Sequence, residues 1–405
     1  YAESDRMAKF WVAISVVTDI LLIGFFKYAG MFFSLFGAVP DFVSRVALPI
    51  GISFYTFQLM TYVIDVYRED AEARDSYLDV LLYAALFHQC IAGPIVRFKT
   101  ISRELYVKRN TKDLLPGIIR FSVGLAKKTL LANPCGSLAD SILATNGALA
   151  GMTVLSAWLG ALAYTLQIYL DFSAYSDMAI GMGKMIGLHY MENFNYPFIA
   201  QSVAEFWRRW HISLSTFFRD YVYIPLGGNR CSTPRMLLNM FVVWALTGLW
   251  HGASWNFVAW GLYYFVFLAM EKLFLKKALD RTGIISHIYL ILIVMFGWIL
   301  FYYTDIGDAL TVVKNMLGAN GNALSDFNSL AFLRNNYALI AVSCMCSTPL
   351  LKNLTEKAGD ALCTSKAGAM LWDFLSYMLV PIILLLLSTA ALVGDSYNPF
   401  IYFRF

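Results

Sequence analysis

Two histidines stand in segments where water does not account for them. His251 lies in LTGLWHGASWNF (246 to 257) and His211 in EFWRRWHISLSTFFRDYVYIPLGG (205 to 228), both apolar enough for lipid. Ionisable side chains at membrane depth are costly, so they mark functional positions by default. An imidazole, whose ordinary pKa sits near working pH, can take a proton from a hydroxyl as general base. A buried histidine that only hydrogen-bonds a broken helix is the alternative, and position alone leaves both open. On one helix Trp207, His211 and Ser215 would share a face, and Glu205 stands four residues before Arg209 as an ion pair. Arg208, Arg209 and Arg219 then either bind a polar or acyl substrate or anchor the segment at a basic interface. A third cluster, YTLQIYLDFSAYSDMAIGMGKMIG (164 to 187), sets Gln167 and Asp171 one turn apart and adds Asp177. With no cation nearby in sequence, these aspartates either pair with Arg208 or Arg209 across a bundle or line a hydrated path. His88, His189 and His287 fall near expected helix ends without a comparable constellation.

The elements that must position these groups follow from composition. Hydrophobic residues make up 59% of the chain and charged ones 14%, against about 25% charged in a soluble domain. The chain is therefore expected to be an all-α polytopic membrane protein. Its apolar runs give roughly nine to eleven crossings with embedded broken helices. No repeat or linker interrupts residues 1 to 405, so a single transmembrane domain is expected. The net charge of +4 is small and does not indicate nucleic acid. Six scattered cysteines show no disulfide or metal-ligand spacing, and neither a metal nor a bound cofactor is expected. Basic loops at 94 to 113, 272 to 281 and 352 to 368 belong in the cytoplasm by the positive-inside rule. That places the loop at 304 to 334 and the C-terminus outside. The segment 114 to 133, with Arg120, Lys127 and Lys128, is expected to lie along the interface as an amphipathic helix.

Between the basic loops 227 to 235 and 272 to 281 the chain must cross an even number of times. Two arms of 16 to 18 residues reach only ~24 to 27 Å, short of the ~30 Å hydrocarbon core. The turn, at Gly248, His251 and Gly252, must therefore lie within the membrane, where a non-helical turn survives only in protein or beside a wet cavity. His251 is expected at the base of an outward-facing cavity.

These same runs, with HQCIAGPIVRF (88 to 98) and ENFNYPFIAQSVAEFWRRWHISLSTFFRDYVYIPLGGNR (192 to 230), resemble the membrane-bound O-acyltransferase family, in its bacterial alginate O-acetyltransferase-like branch. The resemblance runs from about residue 10 to the C-terminus. It implies that His251 is catalytic and His211 a second functional position. It further implies an acyl group, chiefly acetyl, arriving from the cytoplasm as a thioester on coenzyme A or on a carrier protein's phosphopantetheine. The acceptor would be an extracytoplasmic polysaccharide or a partner protein, with an SGNH-type acyltransferase as partner, in a bacterial cell membrane. Hydrophobic segments before Tyr1 are expected on the same ground. Trp207, Arg208, Arg209, Asp171 and Asp177 would contact substrate, and Trp250 or Asn256 would orient the carbonyl. The tail FIYFRF (400 to 405) is similar to the C-terminus of a small peptide that serves the related D-alanyl transfer protein, which makes Tyr402 a candidate acyl carrier. An aromatic belt is the other reading of that tail. D-alanyl transfer to teichoic acid is the alternative reaction. A transporter or flippase is the alternative class.

Overall fold

The computed structural model describes residues 5–90, 93–107, 111–143, 148–394 and 399–400. It is helical, with no strand among the described residues. The helices that matter for the site are α1 (Asp5–Ser34), α2 (Ile52–Tyr67), α3 (Leu114–Ala126), α4 (Asn133–Ile142), α5 (Val154–Met185), α6 (Val203–Arg209), α7 (Ile212–Phe218), α8 (Thr233–His251), α9 (Trp255–Thr282) and α10 (Ile284–Tyr302). The chain continues through α11 (Phe327–Cys346), α12 (Leu350–Leu362) and α13 (Lys366–Gly394).

Among the described residues four helices, α1, α9, α10 and α13, are long and apolar enough to cross a membrane. The bent pair α11 and α12 raises this to five if it counts as one span. The expected nine to eleven crossings would need shorter or more polar helices as well. One candidate is α5, whose 32 residues are buried along most of their length yet carry two aspartates.

Helix α5 forms the centre. On one side Tyr169 packs edge-on to Phe198, and Tyr164 packs edge-on to Tyr302 of α10. On the other side lie α3 and α4. This corrects the interfacial placement of 114 to 133, because its cations turn inward to carboxylates. Arg120 and Lys127 each approach Asp177 at 2.6 Å, and Lys128 approaches Asp171 at 2.6 Å.

Helices α8 and α9 form the hairpin that the short apolar arms require. α8 rises about 27 Å from Thr233 to His251, Gly252 follows in extended conformation, and α9 returns. The two helices touch backbone to backbone. A Cβ on Gly248 would collide with the Phe257 carbonyl and one on Gly261 with the Trp244 carbonyl. Small residues at a helix contact allow this approach where lipid supplies no hydrophobic drive.

Candidate active site

Helix α6 begins at Ser202, whose Oγ accepts the Glu205 N–H at 3.1 Å. From α9 the buried Glu271 carboxylate accepts the Val203 and Ala204 N–H groups at 2.7 and 2.9 Å. An anion on unpaired N–H groups at a helix start is favourable, and it ties α6 to α9. Helix α6 stops at Arg209, and His211 takes the left-handed conformation, φ 45° and ψ 54°, before α7 begins. For a residue with a Cβ this costs roughly 1 to 2 kcal/mol, and such strain gathers at functional sites. The continuous face expected for Trp207, His211 and Ser215 is therefore replaced by a break. The three still converge, with Ser215 Oγ donating to the Trp207 carbonyl at 3.1 Å.

All three line a cavity of about 700 Å³ that also holds His251. One wall is a stripe along α8, Met240, Val243, Trp244 and Thr247, leading turn by turn to His251. At the other end stand the exposed side chains Arg208, Arg219, Asn229, Lys272 and Lys276. The cavity thus reaches His251 from the face of the loops at 227 to 235 and 272 to 281.

Trp250 stands between the two imidazoles, its ring 5.8 Å from His211 and 5.0 Å from His251, edge-on to both. Trp260 and Phe301 complete an aromatic wall around His251 at 4.9 and 5.3 Å. Polar atoms concentrate here without partners. His211 Nδ1, the indole nitrogens of Trp207, Trp250 and Trp260, and both amide atoms of the fully buried Asn256 have no hydrogen-bond partner among the described residues. Each such atom costs about 1 to 3 kcal/mol. The arrangement suits groups whose partner is a substrate.

Not every expected site residue joins this cavity. Arg209 is held by Glu205 at 2.9 Å and by the Asn195 carbonyl, and only its neighbour Arg208 lines the wall. Asp171 and Asp177 meet lysines and an arginine of residues 114 to 132 rather than Arg208 or Arg209, and neither lines the cavity. Trp250 and Asn256 sit behind the wall. Tyr402 lies outside the described residues, although Phe400 just before it packs edge-on to Tyr175 and under the Lys128 amine. Sequence reasoning passed over Lys27, whose amine meets the Trp250 carbonyl. A lone lysine in an apolar helix was the signal that marked it. Lys272 and Lys276 were read only as loop charges.

A sequence model of the membrane-bound O-acyltransferase family matches residues 52–305, a stretch that holds both histidines. The chain is 38% identical to a "Probable alginate O-acetylase" of Azotobacter vinelandii, over 99% of this chain and 86% of the relative. It is 30% identical to a peptidoglycan O-acetyltransferase of Helicobacter pylori, over 100% of this chain and 84% of the relative. A teichoic acid D-alanyltransferase of Bacillus subtilis is 30% identical over 56% of this chain and 60% of the relative.

Proposed function

The chain belongs to the membrane-bound O-acyltransferase family and is an O-acyltransferase, and we propose that it moves an acetyl group from a cytoplasmic thioester to hydroxyls of an extracytoplasmic polysaccharide. The observation that carries this reading is the single cavity with two imidazoles at its deep end and four cations, Arg208, Arg219, Lys272 and Lys276, at its mouth. Coenzyme A and phosphopantetheine both bring phosphates, which guanidinium and ammonium groups bind through charge-assisted hydrogen bonds. The acyl arm would then lie along the apolar stripe of α8 with its carbonyl near His251.

At that carbonyl, His251 accepts the proton of the attacking hydroxyl as the new C–O bond forms and the C–S bond breaks. The imidazolium returns the proton to the departing thiolate. The Trp207 indole N–H, which lines the cavity without a partner among the described residues, would meet the negative charge on the carbonyl oxygen, in place of the Trp250 or Asn256 donors expected from the sequence. In the relay version the first acceptor is the Tyr402 phenol, which passes the acetyl group to polymer or to an SGNH-type partner. One added acetyl mass on a Tyr402 peptide, with donor present, is the mark of that version.

D-alanyl transfer is supported by the shorter of these similarities, whereas O-acetylation is supported by relatives matched over nearly the whole chain. The residence proposed is a bacterial cell membrane, with the cavity mouth in the cytoplasm and the C-terminus outside. The test is incubation of the purified chain with radiolabelled acetyl-CoA, or with an acetylated carrier protein, while free thiol is followed. Thiol released together with label on acceptor or protein is expected. No release from either donor would contradict the reading, and turnover of a D-alanyl carrier alone would favour the alternative.

A further inference from the structure

Helix α8 ends at His251 without a closing turn. Gly252 leaves in extended conformation, φ −171° and ψ 158°, and its N–H does not fold back on the helix. The last carbonyls of a helix have no partner within it and must find one elsewhere. Two of them are met by a helix more than two hundred residues earlier in the chain. The Lys27 amine of α1 donates to the Trp250 carbonyl, and the Tyr28 hydroxyl donates to the Leu249 carbonyl at 2.5 Å. Lys27 also reaches Ser53 Oγ of α2 at 3.5 Å and lies 5.9 Å from the Trp250 ring.

Depth and register agree with this meeting. Asp5, at the start of α1, accepts from Tyr67, next to Arg68, which in turn bonds the Asp220 carbonyl. The start of α1 therefore lies at the same face as the loop that precedes α8. From there Lys27 is about 33 Å up its helix and His251 about 27 Å up its own. A π-helical turn at Gly24–Tyr28 interrupts α1 where the two side chains turn inward, and such turns recur at functional sites. The rest of α1 is mostly exposed. Among the described residues no carboxylate is bonded to Lys27. A half-buried amine held by one carbonyl and one hydroxyl, with no carboxylate, is costly in an apolar helix unless the site needs it.

We propose that Lys27 is a positioning residue, which fixes the open end of α8 and through it the imidazole of His251. The inference rests on the reading of His251 as the base. A cation on terminal carbonyls is favoured by the helix dipole as well as by the hydrogen bond. The peptide it holds joins Trp250 to His251, so any play there moves the base directly. A misplacement of about 1 Å at a reacting group costs on the order of 100-fold in rate.

Purified full chain carrying Lys27→Met, assayed by thiol release from acetyl-CoA or acetylated carrier, should lose about 10- to 100-fold in kcat with donor KM within about twofold. Lys27→Arg, which keeps a cationic donor at the carbonyl, should recover most of the rate. In a His251→Ala background Lys27→Met should cause no further loss. Should Lys27→Met fail to accumulate, Tyr28→Phe removes the neighbouring bond without touching charge and should show a smaller loss with the same split. Unimpaired kcat in whichever of these variants is folded, or an equal further loss in the His251→Ala background, overturns the proposal. A fully active His251→Ala protein would instead overturn the reading beneath it, so the two failures are told apart.

Discussion

The cavity of the two histidines and the seam between residues 114 to 132 and α5 both bury polar side chains and treat them in opposite ways. In the seam each carboxylate meets a cation, Asp171 with Lys128 and Asp177 with Arg120 and Lys127, and Glu192 closes the group on Arg120. In and around the cavity, four indole or imidazole nitrogens and a whole amide have no partner among the described residues, while His211 holds a strained backbone. Burial imposes the same cost in both places. In the reading proposed above, groups whose cost is offset within the fold serve structure, and those left open beside a void would take their partners from a ligand.

The largest effect expected from this contrast is on stability in the seam. Asp177→Ala leaves Arg120 and Lys127 half-buried without their shared carboxylate, and breaking a buried pair costs about 3 to 5 kcal/mol. Thermal unfolding in detergent should show it, while thiol release per folded molecule stays near that of the parent protein. An unchanged melting temperature would mean that the seam pairs contribute little.

Next in size is the division between two adjacent arginines. Arg208→Ala removes a cation from the cavity mouth and should raise donor KM roughly 10-fold, since one charge-assisted hydrogen bond contributes about 1.5 to 3 kcal/mol. Arg209→Ala breaks the pair with Glu205 and the bond to the Asn195 carbonyl, neither of them in the cavity, and should leave donor KM unchanged. Equal effects from both would place the donor outside this cavity.

How much of this was legible in the sequence depends on how far apart the partners lie. The hairpin at His251 follows from the length of two apolar arms, and the Glu205 and Arg209 pair from helical spacing. Both are local arithmetic. The partners of Asp177 stand 50 and 57 positions away on another helix, and the group that meets Trp250 stands 223 positions away. No periodicity records such meetings. The break at His211 was hidden differently. Trp207, His211 and Ser215 keep helical spacing, and the break is held from outside the helix, where Asn195 N–H donates to the Arg209 carbonyl at 2.9 Å and Asn193 accepts from the Ile212 and Ser213 N–H groups at 2.9 and 3.1 Å.

The smallest effect tests that break. His211→Gly relieves the left-handed strain, so the protein should gain about 1 kcal/mol in stability even as transfer falls. A loss of stability instead would show that the imidazole packing, edge-on to Trp250 at 5.8 Å, outweighs the strain.

The central claim is that the unpaired cavity does chemistry at His251. Single-turnover thiol release by purified His251→Ala protein, with labelled acetyl-CoA or acetylated carrier saturating the cavity, tests it most directly. The account predicts a loss of about 100-fold or more in the rate of transfer, with donor binding retained and thermal unfolding close to that of the parent protein. Retention of more than about a tenth of the parent rate would contradict a general-base role for His251.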